Sequence, residues 1–208
     1  MGRLGKQTKE VSEKTKTRIL KGALKVFASE GFHNTKLRDI AEIAGTTHSL
    51  IRYHFGSKDD LWKSVVNSGL QLREDRLKEL VESRGSTDPV ELFKMLIKSH
   101  ILFAAQNTEL SKILLHNDSR NSHHLEYIIE KQKAVMDIVK PVFKKVQKRG
   151  YFKDFDHDSF SIYMRVLTEI PIATLDFTNK LIKGDIRSEK GLAQHTKRVI
   201  DFLFHKDS

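Results

Sequence analysis

Apolar residues recur at three- and four-residue intervals along almost the whole chain, the spacing of one face of an α-helix. Ile19, Leu20, Ala23, Leu24 and Phe27 form the first such stripe, and Gly31 is placed to end that helix. A second, short helix is predicted over 36–44, with Thr35 as its N-cap and Leu37, Ile40, Ala41 and Ala44 turned inward. Gly45 interrupts it. Thr47 is placed to cap a third helix over 48–54, with Leu50 and Ile51 facing in. Ser57 then caps a fourth, which starts near Lys58, buries Leu61, Trp62 and Val65, and runs into the low 80s.

The stretch RGSTDP at 84–89 is a break, and Asp88-Pro89-Val90-Glu91 predicts a new start. Asp is the cap, Pro needs no hydrogen-bond donor at the first position, and Glu91 can reach back. Leu92, Leu96, Ile97 and Phe103 then point inward. A short helix near 109–116 and a long one over 122–148 follow, the latter kinked at Pro141. After Gly150-Tyr151-Phe152, Asp156 or Asp158 caps a helix to about 182, kinked at Pro171. Ser188 caps the last, with Leu192, His195, Val199 and Phe202 along one side. The pattern predicts an all-α chain without internal repeats. Residues 1–60 form an N-terminal helix-turn-helix unit, and 61–208 form a helical second domain.

Composition narrows the chemistry. Of 208 residues, none is cysteine, which excludes disulfides, thiolate metal sites and cysteine nucleophiles. No apolar run approaches the ~20 residues of a membrane span. The N-terminal MGRLGKQTKE lacks the apolar core of a signal peptide, and Lys6 stands where an N-myristoylation motif needs Ser or Thr. A cytoplasmic protein with no membrane partner is expected. Net charge is +10, and residues 1–60 carry 12 Lys/Arg against 7 Asp/Glu, half of that surplus in under a third of the chain. This density points to a polyanion such as nucleic acid. Residues 1–16, with Arg3, Lys6, Lys9, Lys14 and Lys16 and no apolar periodicity, are expected to form a mobile basic arm along it.

Two short helices meeting at a tight glycine turn, braced by a third, make a helix-turn-helix. Gly45 supplies a turn conformation that a Cβ would penalise. The third helix would then enter the major groove by its N-terminal end, presenting His48, Ser49, Arg52 and Tyr53 to base edges or phosphates.

These residues carry a resemblance. Ile19, Ala23, Phe27, Gly31-Phe32, Thr35, Ile40-Ala41, Ala44-Gly45, His54-Phe55, Ser57-Lys58 and Leu61 resemble the N-terminal signature of the tetracycline-repressor family, over about a quarter of the chain. The sequence departs from the family pattern at Thr46, Ser49 and Arg52, the last standing where a backbone-touching tyrosine is usual. The resemblance implies that Thr35 and Lys36 bind phosphate. It places Thr47, His48 and Arg52 on the recognition helix, with His54 and Lys58 touching backbone beside the groove. It also implies a small-molecule pocket in the second domain, for which His100, Phe103, Tyr127, Gln132, Tyr163, Arg165 and Glu169 are the candidates. Arg165 and Glu169, at i and i+4, can equally pair with each other.

The expected function is a homodimeric, ligand-responsive transcriptional regulator acting as a repressor on double-stranded operator DNA, released by a small apolar or amphipathic effector. Dimerisation is expected through the last two helices, on Phe160, Val166, Ile170, Phe177, Leu192, Val199 and Phe202. Two alternatives stay open: a DNA-binding regulator of fixed activity with no pocket, and a helical carrier or enzyme whose basic surface is incidental. No cofactor, catalytic group or metal is expected. Asp154, Asp156 and Asp158 imitate a calcium loop but lack its Gly and its last carboxylate. His116, His123 and His124 make a poor metal set, because adjacent helical residues diverge by about 100°.

Overall fold

Helices account for all the regular secondary structure among the described residues. The structure is a computed structural model describing the backbone of residues 2–115 and 122–205 and the side chains of 9–115 and 123–205. In chain order the helices are α1 (Gly2–Asn34), α2 (Leu37–Ile43), α3 (His48–Phe55), α4 (Lys58–Arg84), α5 (Pro89–Gln106) and α6 (Thr108–Leu115). There follow α7 (Ser122–Lys148), α8 (His157–Thr168), α9 (Ile170–Ala173), α10 (Leu175–Ile182) and α11 (Glu189–Leu203).

Most starts follow from local chemistry. Thr47 accepts from the Leu50 amide, Asp88 from Val90 and Glu91, Asp156 from Asp158 and Ser159, and Ser188 from Gly191. Ser57 and Asp60 form a reciprocal capping box. Asp156 is thus a helix cap, as the failed calcium pattern implied. Gly45 has φ +58°, the left-handed turn expected of it. Thr35 differs from expectation. Its hydroxyl donates to the Gly31 carbonyl at 2.6 Å, and the residue before α2, Lys36, makes no side-chain cap.

Two further differences have physical causes. The N-terminal arm is helical from Gly2, with Glu10–Lys14 and Glu13–Lys16 pairs along it and Thr15 buried, so ordered helix precedes the first apolar stripe. The segment 157–182 is three helices rather than one kinked helix. Pro171 has no N–H to continue the ladder, and the break falls just before it, at Glu169, whose amide closes α8 on the Arg165 carbonyl. A second break at Thr174 precedes α10.

The apolar interior forms two clusters. The first gathers α1–α3 and the first half of α4, from Ile19 to Leu70, but also Phe103, Leu110, Ile113, Leu114 and Ile128. It therefore crosses the boundary expected at residue 60, because α4 runs unbroken through it. The second holds Leu77 with the inner faces of α5, α7, α8, α9 and α11 and an aromatic group in which Phe143 and Phe152 lie 4.9 and 4.6 Å from Phe160. Gly69 sits between the clusters. A Cβ there would come within 2.5 Å of Leu110 Cδ2, so this glycine lets α4 and α6 pack closely.

Candidate DNA-binding face and enclosed cavity

The α2–turn–α3 unit stands on α1 and α4, and Gly22 lets α1 approach Ala44 of α2, an added Cβ meeting Ala44 at 3.4 Å. Ile51 anchors α3 from beneath at 1% exposure. On the outer side Thr47, Ser49, Arg52 and Tyr53 are exposed, and His48 and His54 half-buried. Leu50, expected to face in, is 37% exposed and joins this outer face, about 100° around the helix from the buried Ile51. Lys36 is exposed at the start of α2.

Two residues assigned to phosphate are used internally. Thr35 is buried and its hydroxyl is engaged as described. Lys58 donates through Nζ to the carbonyls of Phe32 at 2.8 Å and Thr35 at 3.0 Å, with its ammonium 4.5 Å from the Phe32 ring. Burial pushes its pKa down. It ties the α1–α2 turn to α4 and so fixes the angle at which the helix-turn-helix is presented.

A polar strut joins this head to the body. His124, at the start of α7, stacks on Trp62 at 3.9 Å, meets the edge of Phe32 at 4.4 Å, and places Nε2 2.6 Å from Asp59 Oδ1. His123 Nε2 reaches the same oxygen at 3.4 Å, so the adjacent histidines converge on one carboxylate. Lys63 holds the other oxygen at 2.7 Å. Burial alone would raise the Asp59 pKa, but Lys63 and His124 bring it down to about 2. Burial pushes the His124 pKa down against the pull of Asp59. The three donor atoms lie within 4.8 Å of one another, as metal ligands would. However, the carboxylate is already paired, and two helix N-termini meet there, which opposes a further cation. His116 lies outside the described residues.

The body holds a half-open cavity of about 500 Å³, in the range of small-molecule sites. Leu77, Phe93, Leu96, Ile97 and Phe160 are among its apolar walls, and Arg73, His100, Gln132 and Arg165 supply polar groups. Behind them Glu169, 3% exposed, accepts from Arg73 Nη1 at 3.2 Å and Arg165 Nε at 3.1 Å. His100 Nε2 lies 3.1 Å from the same carboxylate. Burial would raise the Glu169 pKa, yet His100, Arg73 and Arg165 hold it well below the usual carboxylate range. Burial, then the Arg73 charge, lowers the pKa of His100.

Of the seven pocket candidates, His100, Gln132 and Arg165 line the cavity and Glu169 backs it. The other three stand elsewhere. Phe103 belongs to the first core cluster, with Arg76 5.5 Å above its ring. Tyr127 packs on Trp62, with its hydroxyl directed at the Lys63 carbonyl. Tyr163 is 56% exposed beside Phe155. Sequence reasoning missed Arg73, although it lies three residues after Leu70 and four before Leu77 on the buried stripe of α4.

The expected dimer face also sorts itself. Phe160 and Val199 are buried within this chain and Leu192 packs against the second cluster, because α8 and α11 turn one side onto the body's own core. Val166, Ile170, Phe177 and Phe202 are exposed. With Ile162, Leu181 and Ile182 they form an apolar surface on α8–α11.

The described residues thus combine an N-terminal helix-turn-helix with a helical body that holds a pocket. The family model for bacterial regulatory proteins of the tetR family matches residues 19–65, the segment that holds the helix-turn-helix. Among curated relatives, the HTH-type transcriptional regulator TtgR of Pseudomonas putida is 29% identical over 140 residues, 66% of each chain. The regulator RutR of Escherichia coli is 41% identical over 68 residues, 33% of this chain and 32% of its own. The match to TtgR thus spans just under two thirds of that protein's length. Among solved structures, the transcriptional regulator FadR of Bacillus subtilis in complex with stearoyl-CoA superposes with a TM-score of 0.71 at 17% identity. That match covers 92% of this chain and 99% of FadR, and it establishes the shared fold. No helix among the described residues is long and apolar enough to cross a membrane.

Proposed function

We propose that this protein is a homodimeric transcriptional regulator, a repressor that binds operator DNA through α2 and α3 and is released by a small amphipathic effector held in the body's cavity. No step of this reading is catalytic. The observation that carries it is the division of α3: Ile51 is locked into the core while Thr47, Ser49, Arg52 and Tyr53 stand outward on a helix of groove-fitting size. Arg52 reads bases or phosphates, Lys36 and His54 hold backbone at the edges, and the basic start of α1 adds charge alongside. Thr47 combines capping with an outward hydroxyl. Lys58 and Thr35 act as supports rather than contacts.

The cavity favours a ligand-responsive regulator over one of fixed activity, and the fold shared with FadR, solved with stearoyl-CoA, supports an amphipathic ligand. α4 is the connection. Its first half carries the head, its second half lines the cavity through Arg73 and Leu77, and Gly69 marks the crossing of α6 between them. A dimer through the exposed apolar residues of α8–α11 sets the two α3 helices a fixed distance apart, about 34–36 Å or a multiple for successive half-sites. An effector that favours a different spacing weakens both half-sites together. A coupling of about 1–3 kcal/mol changes DNA affinity about 5- to 150-fold. The test is selection of binding sites from random duplex DNA, followed by gel-shift titration. A palindromic consensus bound by a dimer is expected. Equal affinity for all sequences would overturn the reading.

A further inference from the structure

The polar end of the cavity presents donors that nothing among the described residues satisfies. Arg73 Nε and Gln132 Nε2 are buried and have no hydrogen-bond partner among the described residues. His100 Nε2 faces Glu169 at 3.1 Å, the contact that helps lower the Glu169 pKa, and has no other partner among the described residues. Buried donors of this kind are costly unless something accepts from them. Charge is also unbalanced: two guanidiniums, Arg73 and Arg165, face one carboxylate, Glu169, leaving one positive charge in excess. Glu169 backs the cluster while both arginines lie on the cavity wall, so the excess faces the empty space. Beyond the polar end the walls are Leu77, Phe93, Leu96, Ile97 and Phe160.

We propose, resting on the reading of this cavity as the effector site, that the effector is an amphipath with a single carboxylate on an apolar tail, its carboxylate seated on Arg73, Gln132 and His100. One monoanion balances one surplus charge, and its oxygens accept from the orphaned donors. A neutral amphipath fills the same walls but leaves charge and donors unsatisfied. An acyl-CoA fits the polar end poorly. Its bulky headgroup must stay outside, where Lys133 and Lys140 are offset by Asp137 and Asp158, and its methyl end would then face Arg73. The proposal also explains how binding is felt. Arg73 belongs to α4, so a carboxylate seated on its free Nε contacts the helix that carries the head.

The experiment is calorimetric titration of the full chain with decanoate, 1-decanol and decanoyl-CoA, each below its micellar concentration, in wild type and variants. Decanoate is expected to bind at least tenfold more tightly than decanol or decanoyl-CoA. Gln132→Leu should weaken decanoate several-fold and leave decanol unchanged. Arg73→Met should remove the preference for the acid, with Glu169 still paired to Arg165. Ile97→Trp, which fills the cavity, should abolish binding of all three. Equal binding of decanoate and decanol in wild type, lost in Ile97→Trp, overturns the carboxylate and leaves the cavity as the effector site. Tighter binding of decanoyl-CoA also overturns it. Binding that survives Ile97→Trp, or no binding at all, overturns both the carboxylate and the effector site.

Discussion

The head and the body of this molecule distribute polarity in opposite senses. In the head, α1–α3 put Ile19, Ile40 and Ile51 inside and Ser49, Arg52 and Tyr53 outside. In the body, α10 and α11 hold Phe177, Leu181 and Phe202 at 69–73% exposure while Glu169 is buried against Arg73 and the half-buried Arg165. Each arrangement matches what that region meets. A polyanion rewards exposed cations and hydroxyls. Exposed aromatic and aliphatic residues on α8–α11 suit the partner subunit proposed to cover them. Buried charge costs stability unless it is matched, so its presence beside a cavity marks a place where selection favours recognition over packing.

The largest expected effect tests the body's buried charges. Glu169→Ala leaves two arginines without their shared partner and should lower unfolding free energy by about 3–5 kcal/mol in urea titrations. A loss near zero would mean that water, not Glu169, stabilises the arginines. Next comes the apolar surface. Phe177→Glu with Leu181→Glu should weaken dimerisation by about 2 kcal/mol or more, read by sedimentation equilibrium, while the monomer stays folded. The same changes in a protein that remains dimeric would place the interface elsewhere. In the head, Arg52→Ala should weaken specific DNA binding by about 1–3 kcal/mol in gel shifts without altering thermal stability. Gly69→Ala, at the crossing of α4 with α6, should cost about 1–3 kcal/mol through overpacking against Leu110.

The smallest effect concerns the strut between the two regions, and its sign is set by two groups. The folded-state pKa of Asp59 lies below its unfolded value, so its contribution is present above the ordinary carboxylate range and is lost as pH falls towards about 2. His124 is also lowered, by burial. Its neutral ring contributes fully above about pH 6.5, and that contribution is lost as pH falls through the lower folded value. Both changes loosen the strut in acid and neither does so in alkali. The chain's one tryptophan, Trp62, stacks on His124, so its fluorescence should change on acidification in wild type and much less in His124→Phe. An identical acid transition in both proteins would remove His124 from the strut.

Features whose partners lie within about four positions were legible in advance. Thr47, Ser57, Asp88 and Ser188 cap the helices they were expected to cap, and Asp156 is the one of its two candidates that does, because a cap joins a side chain to an amide two or three residues on. Gly45 was readable for the same reason. The Arg165–Glu169 pair, one helical turn apart, formed as its spacing allowed. Misreadings arose where a side chain had a choice. Thr35 took the carbonyl behind it rather than the amides ahead. Lys58 reached back to Phe32 and Thr35, more than twenty positions away, instead of outward. Tyr127 and Phe103 had the apolar spacing of pocket walls but were claimed by the first core.

By itself the sequence determined the helical class, most of the helix starts, the helix-turn-helix and, Leu50 apart, the outward set on α3. Those depend on periodicity and on neighbours along the chain. Only the tertiary structure decided which buried polar residues meet. Arg73 and Glu169 are separated by 96 positions, and His124 and Asp59 by 65. No local pattern encodes such pairs, because each side chain's partner is chosen by how whole helices stack. The same stacking determined that Phe160 and Val199 face inward while Phe177 and Phe202 do not: a helix stripe specifies that one side is apolar, but not which neighbour covers it.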